Sequence, residues 1–145
     1  MRMLGLDVGD RTIGVAVSDP TGLIASPVET IKRESNKQSI ARIVELIVDT
    51  TSEKLVVGMP KNMNGTIGPQ GEKTVAYVKQ LEKKLKYSER LKGKEIEIIM
   101  WDERLTTKAA ERTLIESEMR REKRKEVIDQ LAAVYILQGY LDHIR

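Results

Sequence analysis

Asp7 stands in the run Met3-Leu4-Gly5-Leu6-Asp7-Val8-Gly9, whose apolar neighbours read as a buried strand. Leu4, Leu6 and Val8 share one face with period two, and Gly5, Asp7 and Gly9 share the other. An ionised carboxylate there loses hydration unless a cation or strong donors replace the water. A divalent metal is one such partner, and backbone N–H groups of the following turn are the other. Asp102 and Glu103 follow a β-like run over 95–101 and precede Arg104. Ligands bind beyond the carboxyl ends of parallel strands, and neighbouring strand residues face opposite ways, so at most one of this pair lines a given face. Asp129 is expected in about the first turn of a C-terminal helix, the only acid between Glu126 and Asp142. A helix dipole accounts for a surface acid at such a position, whereas packing by Leu131, Ala132 and Val134 points to a metal ligand. Three carboxylates from an initial strand, a later strand end and a final helix can hold two hard cations about four ångströms apart. Such a pair activates water and stabilises the leaving oxygen in phosphodiester hydrolysis.

The composition narrows the chemistry further. The 145 residues suit one domain, 1–145, and contain no cysteine. Disulfides, zinc-thiolate sites and cysteine nucleophiles are thereby excluded. With His143 the single histidine, a multi-histidine metal site is also excluded, so a bound metal needs oxygen ligands, which points to magnesium or manganese. No apolar stretch approaches a membrane span and the N-terminal residues do not read as a secretion signal, so a cytoplasmic location without a membrane partner is expected. The net charge of +3 permits a nucleic-acid partner without demanding one.

The elements that must position these acids follow from periodicity. Residues 12–18 form a second strand, joined to the first by the hairpin link Gly9-Asp10-Arg11. A third β-like run covers 23–31 after the turn around Asp19, giving an antiparallel meander. Ser35-Asn36-Lys37-Gln38 reads as a capping box ahead of a helical stripe of Ile40, Ile43, Val44, Ile47 and Val48. Residues 54–58 are a continuous apolar strand of the kind buried on both faces. Pro69 opens a helix to about Tyr87 with Val75, Val78, Leu81 and Leu85 inward. Thr106 or Thr107 caps another helix, and a basic segment, 120–125, precedes the last one. The fold class is therefore α/β, a mixed five-stranded sheet of three antiparallel strands and then two parallel ones, with helices on both faces.

Candidate substrate contacts lie around this set. Arg120, Arg121, Lys123, Arg124 and Lys125 bracket the entrance to the helix of Asp129, so cations and acids share a neighbourhood. Arg11 follows Asp7 in the hairpin, and Arg104 follows the second acidic position. Asn62 and Asn64, with the glycines at 65, 68 and 71, read as a mobile polar loop able to follow a nucleic-acid backbone. Asn64-Gly65-Thr66 matches a glycosylation pattern but reads as a turn. The lysines between 79 and 94 are interrupted by Glu82 and Glu89 and read as a solvated helix face. Gly71-Glu72-Lys73-Thr74 is no phosphate-binding loop, because Glu72 separates a glycine and lysine that must be adjacent.

Four motifs then converge: D-V-G-x-x-x-I-G-V-A-V-S-D over 7–19, G-M-P-K-N-M-N-G-T-x-G-P over 58–69, D-E-R-L-T-T over 102–107, and K-R-K-x-x-I-D-x-L-A-A-V-x-I-L-Q-x-Y-L over 123–141. In this order, and over nearly the whole chain, they resemble the YqgF family, whose members are described as Holliday junction resolvases and as nucleases of precursor small-subunit ribosomal RNA. The resemblance implies a ribonuclease H-like fold and an acidic metal site of Asp7, Glu103 and Asp129, selecting Glu103 over Asp102. It implies an endonuclease carrying two Mg2+ or Mn2+ ions, with structured RNA, branched DNA or the ribosomal small-subunit precursor as partner and a monomer or homodimer as the working unit. Asn64 stands where the family often has Asp, and Glu122 interrupts the basic segment. A Holliday junction resolvase, a nucleotide-binding module and a non-catalytic RNA-binding assembly factor are the competing expectations.

Overall fold

A computed structural model of the chain describes residues 1–62, 64–102 and 121–144, and over 121–129 the helical backbone alone. The first strands, β1 (Arg2–Val8) and β2 (Thr12–Ser18), pair antiparallel with Asp7 opposite Gly14, and the hairpin closes through Gly9 N–H donating to Thr12 O at 2.9 Å. β3 (Ala25–Lys32) extends the meander antiparallel to β2. It begins two residues later than expected, because the Leu23 and Ile24 amides donate to the Asp19 carboxylate instead of a ladder. Pro27 lies at the register shift of this edge strand, where a missing N–H does least harm.

α1 (Asn36–Thr50) starts as its capping box predicts, with Gln38 N–H donating to Ser35 Oγ at 3.0 Å. β4 (Ser52–Met59) lies parallel to β1, and Leu55, Val56 and Val57 are fully buried, as a strand covered on both faces requires. α2 (Pro69–Tyr87) has Pro at its first turn, and a short 3₁₀ turn, Glu89–Leu91, leads towards β5 (Glu97–Asp102). Val75 is only half-buried; Thr74 and Tyr77 take the inward positions beside Val78, Leu81 and Leu85. The Tyr77 hydroxyl gains its place by pairing with Ser39 Oγ at 2.7 Å, which burial of a phenol demands. The sheet order is β3-β2-β1-β4-β5, so β1 is central.

The last described helix, α3 (Arg121–His143), corrects the expected boundary. The basic residues at 121, 123, 124 and 125 are inside this helix and do not precede it, and position 129 is its ninth residue. α1 and α2 cover the face of Leu4, Leu6, Val8, Leu55 and Val57, while α3 covers the face of Met3, Ala16 and Val56. The helix expected from Thr106 or Thr107 lies outside the described residues, and no helix among the described residues is long and apolar enough to cross a membrane.

Candidate active site

Asp7 is half-buried, where its apolar neighbours suggested full burial, because it lies one residue from the carboxyl end of β1. Register places it level with Gly58 on β4 and Trp101 on β5: Leu6 pairs with Val57, and Gly58 with Trp101. Asp102 pairs with Met59, one step further along. Alternation therefore puts Asp102 on the α1/α2 side with Val57 and Met100, opposite Asp7. Glu103, the next residue, and Arg104 lie outside the described residues, as does Arg120.

The hairpin that carries Asp7 is fixed from the far side. Arg33 N–H donates to Arg11 O at 2.8 Å, and the Arg33 guanidinium donates to Gly9 O at 2.5 Å and to Asn36 Oδ1 at 2.8 Å. The same guanidinium lies 4.6 Å from the Tyr77 ring centre. One arginine thus ties the hairpin tip to α1 and α2 through charge-assisted bonds and a cation–π contact. Reading the sequence alone missed this tie, since nothing local links residue 33 to residue 9.

α3 approaches β1 unusually closely. A Cβ on Gly5 would stand 2.7 Å from Leu137 Cβ and 3.0 Å from Ala133 O, and one on Gly139 would stand 3.1 Å from Trp101 Nε1. Gln138, further along the helix, accepts from Ala25 N–H at 2.9 Å and donates to Leu23 O at 2.9 Å, at the end of the sheet where β1 begins. The helix therefore runs antiparallel to β1. Position 129 lies one turn before Ala133 on this helix. At the ninth residue of the helix, the N-terminal dipole that could account for an acid there has fallen away.

The remaining candidates are more peripheral. Arg11 is exposed at the hairpin tip. The loop of Asn62 and Asn64 is exposed and closed on itself by hydrogen bonds. Asn62 N–H donates to Thr66 O, Asn62 Nδ2 to Thr66 Oγ1 at 3.0 Å, and the Thr66 N–H and hydroxyl both donate to Asn64 Oδ1. Asn64-Gly65-Thr66 is indeed a turn, with Gly65 at φ 86°. For Arg121, Lys123, Arg124 and Lys125 the structure places the backbone in the first turns of α3.

The donor chemistry fits hard cations. The chain has no cysteine, and His143 packs with its ring 5.2 Å from Trp101 at the far end of α3. The ligand oxygen that Asp7 offers is of the kind that suits magnesium or manganese. Among the described residues no three acidic or histidine side chains gather closely enough to hold a metal.

A family model described as "RuvX: Holliday junction resolvase" matches residues 1–143. The chain belongs to the RuvX family. Relatives named "Putative pre-16S rRNA nuclease" include one from Clostridium tetani, 54% identical over 144 residues, covering 99% of this chain and 98% of its own. Another, from Thermoanaerobacter pseudethanolicus, is 54% identical over 143 residues, covering 98% and 96%. Among solved structures, the Fowlpox virus resolvase bound to Holliday junction DNA superposes with a TM-score of 0.58 at 12% identity, over 99% of both chains. T. thermophilus RuvC with a Holliday junction substrate gives 0.55 at 14%, over 99% of this chain and 96% of that one. These likenesses identify the mixed sheet as the ribonuclease H-like fold of resolvases. As a RuvX member the chain is a nuclease, a hydrolase acting on nucleic acid.

Proposed function

We propose that residues 1–145 form one metal-dependent endonuclease domain that cleaves structured RNA, with the precursor of small-subunit ribosomal RNA as substrate and the cytoplasm as its location. The observation that supports this reading is the close seating of α3 on Gly5, two residues before Asp7 near the carboxyl end of the central strand. In this reading Asp7, Glu103 and Asp129 hold Mg2+ or Mn2+. The exclusion of Asp102 from the Asp7 face supports its neighbour in sequence, Glu103, over Asp102. The bound ions supply Lewis acidity and an activated water for in-line attack on phosphorus. The chain's own part is to hold the elements that carry the carboxylates in place, through the Arg33 tie on the hairpin and the close contact of α3. Arg11, Arg104, Arg120, Arg121, Lys123, Arg124 and Lys125 bear on substrate phosphates, with Asn62 and Asn64 at the rim.

Branched DNA is the second reading, favoured by the superposition on two junction resolvases. One assay separates the two: cleavage of precursor ribosomal RNA and of a four-way DNA junction, by wild type and Asp7→Asn, in magnesium and in manganese. Wild type is expected to cut the RNA, and Asp7→Asn to lose about 100-fold or more in rate while keeping its melting temperature. Equal activity of the two proteins overturns the assignment of Asp7, and cleavage of the junction alone moves the substrate to DNA.

A further inference from the structure

A groove of about 450 Å³ runs between α1 and α2, on the side of the sheet away from α3. Lys37, Ile40 and Ala41 of α1 line it, facing Lys83, Lys84 and Tyr87 of α2. A shallower extension over α2 shares Lys83 and Tyr87 and adds Lys79, Lys86 and Glu82. Five lysines thus meet one acid. Among the described residues none of the five is in an ion pair. Lys79 and Lys83 are four apart on the helix, and Lys83 and Lys86 three apart, so each pair repels, offset in part by Glu82, and the face carries a net positive charge. Tyr87 is 71% exposed, and the Lys86 ammonium lies 5.7 Å from its ring centre.

We propose that this groove is a second nucleic-acid contact, which takes a nucleotide of a single-stranded segment. The base stacks on Tyr87 over the floor of Ile40 and Ala41, and the backbone phosphates meet the lysines on both banks. An acidic protein helix is the weaker fit, because such a helix needs a continuous apolar stripe, and Tyr87 is the sole large exposed apolar residue of this lining. Nucleic acid supplies one flat ring and several charges, as the groove does. The inference rests on the reading of the chain as an enzyme of nucleic acid, and it extends the substrate path beyond the carboxyl edge of the sheet.

Binding of labelled oligouridine, followed by fluorescence anisotropy in EDTA so that no cleavage intervenes, tests it. Tyr87→Ala is expected to weaken binding about tenfold, the loss of one stacked base. Replacing Lys37, Lys83 and Lys84 together with Gln is expected to lower the slope of log affinity against log salt by about 2, at about 0.7 per phosphate contact. All four positions are exposed, and melting temperatures report that the variants fold. Unchanged affinity and slope in both variants overturn the proposal, as does tighter binding of polyglutamate than of oligouridine. Asp7→Asn is run in parallel: if it cleaves like wild type while the groove variants lose affinity, the active-site reading fails and the groove stands.

Discussion

The two faces of the sheet differ in how closely their helices approach. Under α1 and α2 the contacts are made by large aliphatic side chains, Leu4, Leu6, Ile13, Ile43, Ile47 and Leu81, all at 1% exposure or less. Under α3 large side chains, Met3, Val56, Ile136, Leu137 and Leu141, are buried too, but small residues lie among them, Gly5 and Ala16 on the sheet and Ala133 on the helix, and at Gly5 they let the backbones approach. Burial of aliphatic surface stabilises roughly in proportion to area and tolerates small displacements, so the first face carries the greater share of folding energy. A helix whose backbone touches a strand glycine has almost no freedom to slide. The second face therefore fixes position, and it is the face that carries Asp7.

Substitutions on each side sharpen or break this contrast. The largest effect is expected for Leu6→Ala, a loss of about 2–5 kcal/mol in urea denaturation with the cleavage rate per folded molecule unchanged. Gly5→Ala comes next, at about 1–3 kcal/mol, since the added methyl meets Leu137 Cβ and the Ala133 carbonyl and one of the two elements must shift. Its cleavage rate is expected to fall further than the folded fraction accounts for. A rate that only tracks stability would mean that the two faces do the same work.

Smaller terms on the α1/α2 side are expected to touch stability alone. Tyr77→Phe removes the buried bond to Ser39 and costs about 1 kcal/mol, limited by the second bond Ser39 makes to Asn36 O. Glu29 accepts two bonds from Arg42, at 3.0 and 2.6 Å, which hold its carboxyl below its ordinary value of 4.5. A depressed acid stabilises the fold above that value and loses its contribution as pH falls below it. With both side chains about one-third exposed, the pair is worth no more than about 0.2–1 kcal/mol. Glu29→Gln is accordingly expected to be slightly less stable than wild type at neutral pH, and equal to it in acid well below 4.5. A gap that persists in acid would assign the effect to packing.

How far the sequence could be read depended on the range of the interactions involved. The β1–β2 hairpin, the capping box at Ser35 and the start of α2 at Pro69 are set by neighbours within about four residues, and they stand where the sequence put them. β3 started late because Asp19 captures two amides through an exposed turn, a competition that β-propensity does not register. Tyr77 was missed as a core residue because its hydroxyl needs a partner on another helix. The basic segment was cut from α3 because its charge read as a boundary, whereas the backbone is helical from Arg121 onward.

From the sequence alone came the residue types: oxygen ligands only, one carboxylate on a central strand, another on a late apolar helix, and the family that combines them. The residue types follow from composition and short-range periodicity, and the family from the order of four motifs. Tertiary structure decided which way α3 runs, that Asp102 faces away from Asp7, and that Arg33 holds the hairpin. Each of these joins residues far apart in the chain, and their meeting is settled by how closely backbones can approach, which no local pattern encodes.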